Sequence, residues 1–216
     1  MKPKNQNVDE TSTPAPTLRL RKKEATRLAL ISASQKFFAT KGYNGTTLQD
    51  IADEVGVSTQ TLLRYFESKA HLRIAIVADR TEMIADALIH RKSSALEVWK
   101  EVVTLQTQSL IDPPDITMAN YVAGVRQDRQ GLEPDPVLEG LDGAQKWRII
   151  VELSYAIAGD LDLPSTNPHT SAFVGALVGG RNAINNQWYD GEITDNEFLD
   201  AHLHFIEDCS KRFGVN

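Results

Sequence analysis

The sequence predicts an all-α protein: an N-terminal three-helix head with a helix-turn-helix, followed by a larger helical bundle. Three observations lead there. Apolar residues recur at i, i+3, i+4 and i+7 in one segment after another. No segment alternates in the manner of a strand, and there is neither an internal repeat nor a heptad array. Breaks rich in Pro, Gly and Asp, namely "DPPD", "GLEPDP" and "GDLDLPSTNP", separate the helical segments.

The bulk properties bound the function. A chain of 216 residues with 41 % hydrophobic content builds one large domain or two small ones. Cys209 is the only cysteine, which excludes an internal disulfide and fits a reducing cytoplasm. No apolar run reaches transmembrane length, and the start lacks a signal-peptide core, so a cytoplasmic protein without a membrane partner is expected. Residues 1–19 read as a disordered tail, because Met1 to Thr17 is rich in Pro, Thr, Asn and Lys. Net charge is −6, but it is divided unevenly. Residues 18–73 hold ten Lys/Arg against five acids, and residues 81–216 hold ten against twenty-one. A basic head on an acidic body suggests two separate jobs.

The head is expected to span residues 20–72. Leu30, Ala33, Ser34, Phe37 and Phe38 make one apolar or small face of a helix over Glu24 to Thr40, and Gly42 stops it. Thr47 caps a second, two-turn helix with Leu48, Ile51, Ala52 and Val55 on one face and Asp50 at the third position. Gly56 ends that helix, and Ser58 caps another that runs to about Phe66. Only Leu62 and Phe66 anchor it inward. Two short helices joined at a glycine turn, the second with a polar outer face, are the ingredients of a helix-turn-helix. The second helix of that motif lies in the DNA major groove. Gln60 there suits adenine, Arg64 suits guanine or phosphate, and Thr59 and Thr61 suit either base edges or phosphates.

The stretch "TTLQDIADEVGVSTQTLLRYFESKAHL", with "FFATKGYNGTT" upstream, resembles the signature of TetR-type transcriptional regulators (TetR/AcrR family) over about Leu28 to Leu72. The resemblance implies an all-helical homodimer, a DNA-binding head, and a ligand-binding and dimerisation body over residues 73–216. It implies a palindromic double-stranded operator and a small-molecule effector that releases a repressor from it. Thr47 matches a phosphate-bonding Thr, and Ser58, Thr59, Gln60, Thr61 and Arg64 lie on the matching recognition helix. Tyr65 matches an aromatic that meets the DNA backbone, and Lys69 a phosphate-contacting Lys. Two positions depart from the pattern. Leu63 stands where Tyr is common, and Ala70-His71 stand where acids are usual.

The body reads as further helices. One runs from Ser68 to about Arg91, with Leu72, Ile76, Met83 and Ala87 facing inward. Others cover Ser94–Ile111, Ile116 to about Arg129, and Val137 to about Ala158 with a weak point at Gly140 to Gly143. The last two start at Pro168 and at a Thr194–Glu197 capping box, and end near Gly191 and Phe213. By position they match the dimerising pair of the family, with Gly175, Gly179 and Gly180 allowing close approach and Trp188, Phe198 and Phe205 adding apolar area. Trp99, Gln106, Met118, Tyr121, Arg126, Trp147, Tyr155 and Phe173 are candidates to line a small-ligand pocket, and Arg126 or Arg148, if inward, would suit an anion.

Several chemistries are not supported. "GALVGG" lacks the preceding strand and the Lys-Ser/Thr of a phosphate loop. His202 and His204 point about 200° apart on a helix and cannot share a metal. No catalytic constellation and no cofactor motif is present, so no enzyme, no metal and no cofactor is expected. The competing reading is a small helical ligand-binding protein or enzyme with an incidental helix-turn-helix.

Overall fold

The protein is described by a computed structural model covering residues 18–129, 131 and 135–215. Among these residues the secondary structure is nine α-helices: α1 (Leu18–Gly45), α2 (Leu48–Val55), α3 (Thr59–Leu63), α4 (Lys69–Ile89), α5 (Ala95–Ile111), α6 (Ile116–Asp128), α7 (Pro136–Asp160), α8 (Pro168–Tyr189) and α9 (Asp195–Phe213). The fold is all-α. The tail assigned to Met1–Thr17 and residues 132–134 of the "GLEPDP" loop lie outside the described residues.

Helix boundaries follow local chemistry. Thr47, Ser94 and Thr194 each cap a helix through a reciprocal box with Asp50, Glu97 and Glu197. Asp135 and Asn167 cap α7 and α8, each followed by a proline in the first turn, where its missing N–H costs nothing. Four expectations are corrected. α1 starts at Leu18, taking in two residues assigned to the tail, and continues past a break at Gly42 to Gly45. α3 stops at Leu63, short of Phe66. α7 runs unbroken through Gly140 and Gly143. Met83 faces outward at 71 % exposure, because the inward stripe of α4 passes through Ile76, Ile84 and Leu88 instead.

Two main cores result. Leu30 and Phe38 of α1, Ile51 of α2, Leu62 of α3 and Leu72 of α4 close the head. Trp99 of α5, Leu153 of α7, and Phe173 and Leu177 of α8 join Ile84 and Leu88 of α4 in the body. α4 contributes to both, and α1 packs most extensively against α6 of the body. Burying each such side chain contributes about 1.5–3 kcal/mol. A smaller cluster holds Trp188 flat against Phe198, with centroids 4.6 Å apart.

The glycines of α8 do different things. A Cβ at Gly180 would sit 2.1 Å from the Phe205 ring, so Gly180 is needed where α9 crosses within the same chain. Gly175 and Gly179 face open space. Trp188, Phe198 and Phe205, assigned from sequence to a dimer contact, therefore pack inside their own chain. Gly180→Ala should cost about 1–3 kcal/mol by overpacking. Gly179→Ala should be neutral or gain up to about 1 kcal/mol of helix propensity. Paired thermal unfolding of the two variants checks this; equal midpoints would contradict it.

Candidate nucleic-acid interface and inner cavity

α2, the turn and α3 form one hydrogen-bonded unit. Gly56 takes φ +73°, and its N–H and that of Val57 close the end of α2 on Asp53 O and Ala52 O. The Thr59 hydroxyl donates to Gln49 Oε1 at 2.7 Å, and Gln49 donates to Asp53. This chain fixes the angle between α2 and α3. Ser58 Oγ accepts the Thr61 N–H at 3.1 Å and meets the Thr61 hydroxyl at 2.9 Å. Thr47 exchanges hydrogen bonds with Asp50, whose carboxyl is held below its usual range first by the Thr47 N–H.

Those bonds sort the sequence candidates. Ser58, Thr59 and Thr61 use their hydroxyls inside the motif, as does Thr47. Gln60 and Arg64 are exposed, and their side chains bond to nothing among the described residues. Tyr65 is half-buried against the head core. Leu63 presents 43 % of its surface outward beside them. Lys69 differs from expectation. Its ammonium donates to Tyr43 O at 2.8 Å and Thr46 O at 3.0 Å and sits 4.4 Å over the Tyr43 ring. It ties the end of α1 to the start of α4 instead of extending as a free cation, and burial lowers its pKa. The motif's other missed feature is the start of α1, where Arg19, Arg21, Lys22 and Lys23 are exposed and form no ion pair among the described residues. Their crowding in five residues was visible in the sequence.

A buried ion pair joins the head to the body where α1, α4 and α6 meet. Arg73 of α4 is 8 % exposed and lies 2.8 Å from the Asp128 carboxylate of α6, which is 7 % exposed. The pair is close by distance, although no N–H points squarely at that oxygen. Asp128 Oδ1 accepts the Tyr43 N–H at 2.9 Å, and Arg73 also reaches Gln35 Oε1 at 3.4 Å. The guanidinium lies between the rings of Phe38 and Tyr121. Gly124 lets α6 come against the α1 backbone, since a Cβ there would stand 3.4 Å from Ala39 N and Phe38 C. The Tyr43 hydroxyl adds a 2.6 Å bond to Asp135, and burial leads the rise in its pKa.

The body holds two joined cavities between α4, α6, α7 and α8. The outer one, about 690 Å³, is lined by Arg73, Ile74, Asp128 and Leu138 among others. The inner one, about 200 Å³, is lined by Arg80, Gln106, Ile149, Arg181 and Tyr189 among others. Val77, Tyr121, Val125, Arg129 and Asp142 line both. Of the ligand candidates, Gln106 and Tyr121 are at these walls. Trp99 and Phe173 are core residues, 1 % and 0 % exposed, and line neither cavity. Trp147 and Tyr155 lie on the outer surface of α7, more than half exposed. Arg126 stacks 4.4 Å over Trp188, and Arg148 pairs outside with Glu82 at 2.7 Å. The arginines that do reach the inner cavity, Arg80 and Arg181, were missed. Helical spacing carried the signal: Arg80 follows Ile76 by four and precedes Ile84 by four, and Arg181 follows Leu177 by four.

No group of metal-ligating side chains is found among the described residues. No described helix is long and apolar enough to cross a membrane. His202 is buried against α5 with Nδ1 2.9 Å from Phe198 O, and burial lowers its pKa to about 4. Cys209 is also buried, and burial raises its thiol pKa.

A capped two-turn helix, a left-handed glycine turn and a second short helix with an open polar face, set on a helical bundle, define a helix-turn-helix protein. Residues 30–76 match the family model of bacterial regulatory proteins, tetR family. The HTH-type transcriptional regulator RutR of Escherichia coli K12 is 35 % identical over 98 residues, which is 44 % of this chain and 46 % of RutR. The HTH-type transcriptional regulator TcmR of Streptomyces glaucescens is 35 % identical over 86 residues, 37 % of this chain and 38 % of TcmR. The chain thus spans under half the length of either relative. Two solved structures share the fold over nearly their whole length. A putative TetR-family regulator from Syntrophomonas wolfei has a TM-score of 0.67 at 17 % identity, covering 86 % of this chain and 94 % of that one. NalD, the secondary repressor of the MexAB-OprM multidrug efflux pump in Pseudomonas aeruginosa, has 0.60 at 22 %, covering 88 % and 96 %.

Thr59→Ala should cost the head about 0.5–1.5 kcal/mol by cutting the α2–α3 bond. Gln60→Ala should stay within about 0.5 kcal/mol of wild type. Urea unfolding checks the contrast; an equal loss in both variants would mean that Thr59 does not brace the motif.

Proposed function

We propose that this chain is a sequence-specific, DNA-binding transcriptional repressor that acts as a cytoplasmic homodimer and is released from a palindromic operator by a small molecule. The observation that carries this reading is the sorting of the α3 face. Ser58, Thr59 and Thr61 brace the motif, while Gln60 and Arg64 project with unused hydrogen-bonding groups. An exposed, unpaired polar pair on the second helix is what base-edge reading requires. The basic start of α1 supports the same reading, since Arg21, Lys22 and Lys23 are exposed and without an ion pair among the described residues. The related regulators RutR, TcmR and NalD favour it over an enzyme with an incidental motif.

In this reading Thr47, Ser58, Thr61, Tyr65 and the α1 cations position the head on the backbone, and Gln60 and Arg64 read bases. Lys69 acts by holding α1 to α4. The outward faces of α8 and α9 pair two subunits, with Gly175 and Gly179 at the crossing, where nothing of the same chain comes within 4 Å. An effector enters the cavities between α4 and α8. By biasing α4 it changes the spacing of the heads, a coupling typically of 1–3 kcal/mol.

The experiment is a mobility-shift titration on the DNA flanking the protein's own coding region and on random DNA of equal length. Gln60→Ala should weaken specific binding by about 1–3 kcal/mol and leave random binding unchanged. Gly179→Leu should weaken specific binding with a normal head, and sediment as monomer where wild type is dimer. Equal loss on both DNAs would reduce Gln60 to a positioning role. Wild-type binding no tighter to the flanking DNA than to random DNA, at any salt concentration, would contradict specific reading of its own operator.

A further inference from the structure

The inner cavity has an electrostatic imbalance that the fold does not resolve. Six ionisable side chains of opposite sign stand around the joined cavities in matched pairs: Arg73 with Asp128, Arg129 with Asp190, and Lys146 with Asp142. Arg80 of α4 and Arg181 of α8 have no carboxylate partner among the described residues. Their hydrogen bonds go to neutral atoms. Arg80 Nη2 donates to Gln106 O at 3.1 Å and Nη1 faces the Met118 thioether at 3.9 Å. Arg181 donates to Gln106 Oε1. Arg181 is half-buried and lines the inner cavity.

This arrangement is electrostatically costly in itself. Desolvation disfavours both cations, and the Arg80 charge adds to the effect on Arg181, whose pKa falls to about 10. Both groups stay charged near neutral pH all the same. A protein with no use for them would gain by placing apolar side chains there. Each guanidinium offers more N–H groups than Gln106 can accept, in a planar fork that matches a carboxylate. The rest of the cavity has a mixed lining, with Gln145, Asn182, Asn185 and Asn186 beside an apolar wall. Val77, Ile84, Leu110 and Ile149 form that wall. Its 200 Å³ equals roughly seven waters of liquid volume, room for a compact molecule.

We propose that the inner cavity binds a compact organic carboxylate, its carboxylate held by the Arg80 and Arg181 guanidiniums and its body against Val77, Ile84, Leu110 and Ile149. This assigns the chemical class of the effector and rests on the regulator reading above. The anion draws α4 and α8 together because one carboxylate accepts from both guanidiniums at once. Arg80 lies seven residues, two helical turns, from Arg73, so the pull acts on the same helix that seats the head.

The test uses the full chain and benzoate as probe, with benzamide as its uncharged isostere, in chloride buffer of constant ionic strength. Benzoate should raise the thermal midpoint saturably, by roughly 4 °C or more at large excess, and benzamide should not. Arg181→Gln and Arg80→Gln should each abolish the response, with ligand-free midpoints no lower than wild type, since each removes one of two repelling charges. If Arg181→Gln fails to fold, Arg80→Gln and the benzoate–benzamide contrast in wild type carry the test. No shift with benzoate, an equal shift with benzamide, or a shift that survives in the variants overturns the proposal. A parallel mobility shift separates the two readings. DNA binding without a benzoate response removes the carboxylate site alone, and a benzoate response without DNA binding keeps the site and removes the regulator.

Discussion

The buried contact between Arg73 and Asp128 is where the two halves of the molecule become one object. Three helices meet there: α4 supplies the cation, α6 the carboxylate, and α1 the Tyr43 N–H that the carboxylate also accepts. Taking both charges out of water costs several kcal/mol each, which only close geometry and added bonds offset. The structure provides the additions in the Phe38 and Tyr121 rings and in Gln35. Removing either partner leaves a bare buried charge, so the contact behaves as all or nothing. That property suits a joint between a head and a body better than a graded apolar contact would.

The location gives the joint its functional meaning. Arg73 and Asp128 also form part of the outer cavity wall. The inner cavity continues from it along α4 to Arg80. On the proposed reading, a molecule bound there would press on the helix that seats the head. On the other side of the joint, Lys69 holds the carbonyls at the end of α1, and Gly42 breaks that helix at φ +70° just before Tyr43. The motif itself is rigid, because Thr59, Gln49 and Asp53 are linked in series. On the same reading, the head would carry any motion of α4 as a unit.

The sequence revealed those parts of the fold that local chemistry decides. Thr47, Ser94 and Thr194 each stand three residues before an acid, and each proved to cap a helix in a reciprocal box. Gly56 sits where a left-handed residue is needed. Long-range geometry was harder to read. Lys69 aligned with a phosphate-contacting position, but alignment fixes a Cα and not the direction of a long side chain, and two α1 carbonyls claim its ammonium. Trp99, Phe173, Trp147 and Tyr155 are alike as aromatics on helices. Two proved to be core and two surface, because the width of the apolar stripe depends on which neighbours arrive. Arg80 and Arg181 were overlooked in favour of Arg126 and Arg148, although their helical spacing placed them inward.

The central claim is that the seat of the head is set by the Arg73–Asp128–Tyr43 contact, and native-state hydrogen exchange tests it most directly. The comparison is between wild type and Asp128→Asn, read segment by segment. The account predicts that residues 36–46 of α1 and residues 116–128 of α6 lose protection together, by an amount approaching the roughly 3–5 kcal/mol expected when a buried pair is broken from one side. Loss confined to α6, with α1 as protected as in wild type, would contradict the claim and place the joint elsewhere.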